Sequence, residues 1–247
     1  MKKGTAAKKI LSIDIGGSSI KATVLNEEGV LLQDFQKVKT PKPAHPEQVL
    51  EAIRNLVTGF KQYDCVSVGF PGYVKKGIVH TAPNLGTEFW KNINLNILIS
   101  EMLDKPVRIV NDADLHGLGV VSEKGLELVI TLGTGFGTAL LWNGELLPHL
   151  ELAHHPVTKS KTYDQYIGDI ALENAGLEKW NTRIQSVIHN LKVVFNYDRL
   201  YIGGGNAKKI NFPLDEDIII INNEDGIRGG ARLWKLDNRY FFEGTAS

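Results

Sequence analysis

Cysteine is almost missing from this chain of 247 residues: Cys65 stands alone. A disulfide within the chain is therefore impossible, and so is a zinc site built from cysteines. Cys65 lies in an apolar stretch and reads as a small core residue. An excess of either charge is missing too. Lys and Arg number 28, Asp and Glu also 28, and the formal net charge is zero. Nothing there points to nucleic acid or an anionic membrane as a partner. No apolar run approaches the roughly 18 residues that a membrane span requires. The basic opening MKKGTAAKK has no apolar region behind it, which reads against a secretory signal, and the expected location is the cytoplasm. What is present, 43% hydrophobic and 23% charged residues, is ordinary for a soluble protein. The length suffices for one large domain or two modest ones.

Short runs rich in Ile, Val and Leu predict strands over 9–14, 20–25 and 30–38, joined by Gly or Asn-Glu-Glu-Gly turns. The Pro-rich stretch 39–47 reads as a connector, and Pro46 opens a helix over 47–60. A strand over 65–70, a helix over 94–103 and a strand over 107–110 complete the first half. Residues 127–147 read as strand, glycine turn, strand, Asn143-Gly144 hairpin and strand. Helices over 165–175 and 179–196, strands over 199–205 and 217–221, and a last helix over 226–236 follow. A glycine-broken hairpin thus opens each half, and αβ units come after it. That weak repeat predicts two α/β domains: a small one over 1–111, a large one over 112–225, and a C-terminal segment, 226–247, packed back on the first.

Three glycine-rich turns follow apolar strands: Asp14-Ile-Gly-Gly-Ser-Ser, Gly133-Thr-Gly-Phe-Gly and Gly203-Gly-Gly-Asn. Glycine lets backbone N–H groups approach an anion, and hydroxyls add donors. None ends in Gly-Lys-Ser/Thr, so none is a Walker loop, and none matches the dinucleotide fingerprint. Asn111-Asp-Ala-Asp114 places polar residues at the carboxyl end of a strand. They read either as a cap on a helix over 113–123 or as a site whose carboxylate serves as general base for a hydroxyl. In HLELAHHP, residues 149–156, Glu151, His154 and His155 are too awkwardly spaced for a metal, and contacts to a hydroxylated ligand fit better. Asn84, in TAPNL, is a turn residue or an amide donor.

Taken in order, IDIGGSSIKATV, GFPGYVKKGIVHTAPNL, NDADLHGLG, LVITLGTGFGTALLWNGELL, ELAHH, LYIGGG and GIRGGARL resemble the sugar kinases of the ROK family. The resemblance is nearest to the short polyphosphate/ATP glucokinase branch and covers about residues 9 to 236. It implies the actin-like ATPase (ribonuclease H-like) fold, two α/β domains with a cleft between them. It implies transfer of a phosphoryl group from polyphosphate, ATP or both to the 6-hydroxyl of glucose, with the cleft closing to exclude water. By this likeness Asp14, Gly16, Gly17, Ser18 and Lys21 form the first phosphate motif, with Mg²⁺ near Asp14, directly or through water. Thr131, Gly133, Thr134, Gly135 and Gly137 form the second. Gly203, Gly204 and Gly205 face the phosphodonor. Asp112 is the base, and Gly72, Asn84, Asn111, Glu151 and His154 lie at the sugar. Relatives are commonly homodimers.

Three departures stand out. The family's Glu-x-Gly-His reads Glu151-Leu-Ala-His154, its Cys-rich zinc loop is absent, so no zinc is expected, and a sugar-contacting Glu aligns with the shorter Asp164. The family's repressors carry an N-terminal helix-turn-helix, for which the stretch before the first strand is too short. A kinase for another hexose, a non-catalytic sugar-binding protein and a plain ATPase stay as alternatives. A polyphosphate donor needs a basic track, and Lys75, Lys76, Lys159, Lys161, Lys208 and Lys209 are the candidates.

Overall fold

The computed structural model describes residues 7–236. The end of the expected C-terminal segment, 237–247, lies outside the described residues. The chain divides into two compact units, one running to Gly119 and resuming at Ile227, the other spanning Val120–Gly226. The division falls later than the expected one after Asn111.

In the first unit, β1 (Ile10–Ile15) and β2 (Ser19–Leu25) form an antiparallel hairpin with Ile10 opposite Leu25 and Ile15 opposite Ile20. β3 (Gln36–Lys39) adds to β2, and β4 (Cys65–Phe70) and β7 (Val107–Asn111) extend the sheet in parallel, giving the order β3-β2-β1-β4-β7. Between β4 and β7 come the small hairpin β5 (Val74–Lys75) and β6 (Ile78–Val79), α2 (Thr87–Trp90) and α3 (Leu95–Leu103). Alternation along β1 and β2 sends Leu11, Ile13, Ile20 and Ala22 into one core with Val49 and Ile53 of α1 (Pro46–Val57). The other face carries buried Ser12, Asp14, Thr23 and Ser67. α4 (Asp112–Val120) follows β7 directly.

The expected helix over 226–236 shortens to α9 (Gly229–Arg232), with the separate α8 (Asn223–Gly226) ahead of it. Ser12 Oγ donates to Ile227 O at 2.8 Å, and Ser67 Oγ donates to Gly230 O at 2.6 Å. A Cβ at Gly230 would fall 2.2 Å from Ser12 Oγ, so the backbone is pressed onto the sheet where only glycine fits. The expected strand over 30–38 shrinks to β3, with a lone bridge between Leu25 and Leu31. Val30 and Leu32 stay exposed, and of the run 30–32 only Leu31 packs inward, against Ile10, Leu25, Cys65 and Ala231.

The second unit repeats the scheme. β8 (Leu126–Leu132) and β9 (Phe136–Trp142) form a hairpin, β10 (Glu145–Leu146) adds at one edge, and β11 (Arg199–Gly203) and β12 (Ile218–Ile220) run parallel to β8. The order is β10-β9-β8-β11-β12. A 3₁₀ turn (Leu152–His154), α5 (Tyr163–Ile167), α6 (Asp169–Ala175) and α7 (Leu177–Phe195) lie between the hairpin and β11. The helix expected over 165–175 is split at Gly168, whose ψ of 178° is extended. Trp180 of α7 is fully buried and donates Nε1–H to Ile167 O at 2.8 Å. No helix among the described residues is long and apolar enough to cross a membrane.

Candidate active site

Asp14 stands one residue before the end of β1 and is buried. Antiparallel register sets it opposite Lys21 on β2, so both side chains leave the same face. Lys21 Nζ lies 3.6 Å from Asp14 Oδ2, and His116 Nε2, reaching over from α4, lies 3.5 Å from the same oxygen. Burial alone would push the Asp14 carboxyl up, but the charges of His116 and Lys21 outweigh it and hold the carboxyl below the usual range. His116 goes the other way. Burial would lower its pKa, and the charges of Asp14 and then Asp112 more than compensate, so it is raised.

The chain reverses between Ile15 and Ile20. Gly16 N–H donates to Ser19 O at 2.9 Å, Thr40 Oγ1–H to Gly16 O at 2.6 Å, and Thr40 N–H to Ser18 O at 3.1 Å. The turn is thereby tied to the end of β3. Gly17 lies against the loop that carries Asn84: a Cβ there would come 3.1 Å from Asn84 Cβ. Ser18 and Asn84 are exposed. Where β7 gives way to α4, Asn111 Nδ2 donates to Gly72 O at 3.1 Å, and Asn111 Oδ1 accepts Ala113 N–H at 2.8 Å. Asp112 Oδ1 also accepts Ala113 N–H, at 2.9 Å. Both side chains therefore cap the helix, and the half-buried Asp112 stands at its first residue.

In the second unit the turn Gly133–Gly135 is closed by Gly133 N–H donating to Gly135 O at 3.1 Å. Asp164 Oδ1 accepts Phe136 N–H at 2.6 Å, and Asp169 N–H donates to Gly133 O at 3.0 Å, so α5 and α6 brace the turn. Thr131 pairs with Gly203 across β8 and β11, which brings the next glycine turn beside the first. Gly204 turns with φ +89° against Leu132, whose carbonyl accepts Asn206 N–H at 3.0 Å. Thr134 is exposed, and the space a Cβ would take at Gly133 or Gly205 is open among the described residues. Two glycine turns thus share the carboxyl ends of β8 and β11, where α/β sheets bind ligands. Gly137, by contrast, is a strand residue opposite Thr131.

Glu151 sits between two imidazoles. Its Oε2 is 3.4 Å from His154 Nε2, and its Oε1 is 3.6 Å from His149 Nε2. Asp164 senses this group. Burial raises its pKa, the Phe136 N–H and then His154 pull it down, Glu151 pushes it up, and the net direction is up. His116 and His149 were not singled out from sequence. Both stood inside segments that were: His116 is one helical turn beyond Asp112, and His149 is two residues before Glu151. Among the described residues no group of three or more His, Cys, Asp or Glu is arranged to hold a metal ion.

Each unit is a mixed five-stranded sheet that opens on an antiparallel hairpin, continues in parallel strands and ends in glycine turns. That is the actin-like ATPase fold. The ROK family profile matches residues 10–151. The polyphosphate glucokinase of Mycobacterium tuberculosis (strain CDC 1551 / Oshkosh) is 31% identical over 252 residues, covering 96% of this chain and 95% of its own length. The chain belongs to the ROK family. The crystal structure of the inorganic polyphosphate/ATP-glucomannokinase from Arthrobacter sp. strain KM superposes with a TM-score of 0.83 at 31% identity, over 92% of this chain and 99% of that one. A ROK family glucokinase from Streptomyces griseus, in complex with glucose and AMPPNP, shares the fold with a TM-score of 0.78 at 21% identity, over 91% of this chain and 98% of that one.

Proposed function

We propose that this protein is a glucokinase that transfers a phosphoryl group from polyphosphate, ATP or both to the 6-hydroxyl of glucose, with Asp112 as general base. The observation that carries the reading is the β7–α4 junction. There a half-buried carboxylate is fixed by the helix it opens, next to an amide locked onto Gly72. The relatives at 31% identity, a polyphosphate glucokinase and a polyphosphate/ATP-glucomannokinase, support the reaction class.

Phosphoryl transfer asks the protein for positioning and charge neutralisation more than for covalent help. In this reading the sugar oxygen forms the new bond to phosphorus, the bond to the departing phosphate breaks, and the hydroxyl proton passes to Asp112. Asn111 and Asn84 hold sugar hydroxyls from the first unit. Glu151 is kept in place by His149 and His154 as an acceptor for hydroxyl groups. Asp164 keeps the Gly133–Gly135 turn in shape for the donor, and Gly203, Gly204 and Gly205 line the donor's other side. Asp14 is the residue that would hold Mg²⁺, through water because Lys21 and His116 already address its Oδ2. Bound there, Mg²⁺ would neutralise charge on the transferred group.

Asp112→Asn keeps the shape and removes the base. Turnover should fall about 10³-fold, while the glucose Kd from calorimetry stays within a factor of about three. Turnover within tenfold of the parent protein would remove Asp112 from the role. Mannose is a second acceptor to test, because the Arthrobacter relative is a glucomannokinase, and rates with both sugars decide it.

A further inference from the structure

A long polyphosphate donor extends well beyond the phosphate that is transferred, and the rest of the chain needs a binding surface. Lys75 and Lys76 lie at the β5–β6 hairpin, Lys159 and Lys161 in an exposed loop, and Lys208 and Lys209 in the 3₁₀ turn after Gly205. Strand register brings forward a different pair. Lys37 of β3 stands opposite Lys21, and Lys39 stands opposite Ser19. Lys21 in turn stands opposite Asp14.

Directly opposed residues share a face of the sheet. Asp14, Lys21 and Lys37 therefore form one row across three strands, about 4.8 Å per step. Lys39 and Ser19 stand beside that row. The opposite face carries Ile20, Ala22 and Val38 into the core against Val49 and Ile53 of α1. Lys37 and Lys39 are exposed on the edge strand, and among the described residues neither side chain makes an ion pair or a hydrogen bond. The acids nearest in sequence, Asp34 and Glu47, lie outside β3, and Asp14 already has two cations.

Lysine on an edge strand also deters pairing with other chains. That role accounts for exposed lysines at an edge but not for their register with Lys21. Nor does it account for the tie at the end of β3: Thr40, next after Lys39, donates to both Gly16 O and Ser18 O of the phosphate turn. The lysine row begins where that turn ends.

We propose that Lys37 and Lys39, continuing outward from Lys21, form a binding track for the distal phosphates of a long inorganic polyphosphate chain. This rests on the donor reading given above. A polyanion bound there would shed counterions, so affinity should fall steeply with salt, and each lysine should add to the slope.

The test is a Lys37→Gln/Lys39→Gln variant, with Lys159→Gln/Lys161→Gln as a control of equal charge. Glucose phosphorylation is measured with long-chain polyphosphate, tripolyphosphate and ATP, and binding of the long chain is titrated against salt. The track variant should raise KM for the long chain about tenfold, with a smaller rise for tripolyphosphate and the smallest for ATP. Its log–log salt slope should shrink by roughly 0.7–0.9 for each lysine removed. An equal KM change for all three donors, an unchanged slope, or the same loss in the control overturns the track. So does a parent protein that uses ATP and neither binds nor uses polyphosphate. If the parent protein phosphorylates no hexose with any donor, the kinase reading falls, and the salt-titrated binding alone then decides for or against the track.

Discussion

Asp14 on its own would be a costly carboxylate. Its side chain is 9% exposed, and its surroundings oppose ionisation. Lys21 and His116 reverse that balance, so the three groups stand or fall together. Removing one partner of a buried pair leaves an uncompensated charge, and His116→Ala should cost about 3 kcal/mol at pH 6. The pH dependence follows from the two shifts. Asp14 is depressed in the fold, so its contribution is present above the unfolded carboxyl value and is lost as pH falls through the folded one. His116 is raised, so its contribution is complete below about 6.5 and is lost as pH rises through the folded value. The parent protein should therefore lose stability on the alkaline side along a slope that His116→Ala lacks. Urea midpoints at pH 6 and pH 9 check this. A gap between the two proteins that is the same at both pH values would mean the pair does not carry it. In the sequence Asp14 stands out because a glycine turn follows it, and Lys21 enters through the family likeness. His116 does not stand out, because only the packing of α4 on the sheet brings an imidazole to a strand end one hundred residues earlier in the chain.

Elements were legible where an apolar run met a turn signal strong enough to end it. The Asn143-Gly144 hairpin is an example, with φ of +50° and +82° at its two central residues. Shorter pieces gave too little period to read. β5 and β6 have two residues each, turning at Lys76 and Gly77 with φ of +52° and +79°. The family likeness assigns the glycines after β11 to the donor, but the reason each is glycine differs. Gly204 is the demanding one: it has φ +89°, and a Cβ there would lie 2.2 Å from Leu132 O and 2.5 Å from Leu132 N. The neighbour is backbone at the end of β8 and cannot rotate away. Gly204→Ala should cost about 2–3 kcal/mol, more than strain at a positive φ alone. Melting should fall by roughly 5–10 °C. Calorimetry checks the stability. Gly205→Ala, into open space, should leave melting nearly unchanged, and equal shifts in the two variants would show that the close approach is not the cause.

Over the whole molecule, two α/β halves could be read from repeated hairpins, but not where one ends. The repeated hairpins place the break after Asn111, before α4. The structure keeps α4 with the first unit because the C-terminal segment grips it: Arg232 Nη1 donates to Leu118 O at 2.9 Å, from a partner more than a hundred residues away. The chain enters the second unit at Val120, and the residues just beyond are held by one buried acid. Glu127, fully buried on β8, accepts Ser122 N–H at 2.7 Å, Ser122 Oγ–H at 2.8 Å and Tyr201 O–H at 2.9 Å on Oε1. Its Oε2 accepts Glu123 N–H at 2.9 Å and Lys124 N–H at 3.3 Å. Each contact is a donor meeting an ionised acceptor, which is the strong kind of hydrogen bond. Glu127→Gln is nearly isosteric, yet it turns one oxygen into an NH₂ that faces donors. That leaves buried N–H groups unpaired at about 1–3 kcal/mol each. The variant should lose about 3 kcal/mol and melt roughly 6–12 °C lower. Tyr201→Phe, which removes one donor to Glu127 and a second acceptor of Ser122 N–H, should cost about 1 kcal/mol. Amide exchange at Ser122 to Lys124 should quicken in the Gln variant ahead of global unfolding, because those three N–H groups have Glu127 as their shared acceptor. A Gln variant with parental melting and parental exchange at those residues would show that shape, not charge, fastens the start of the second unit to its sheet.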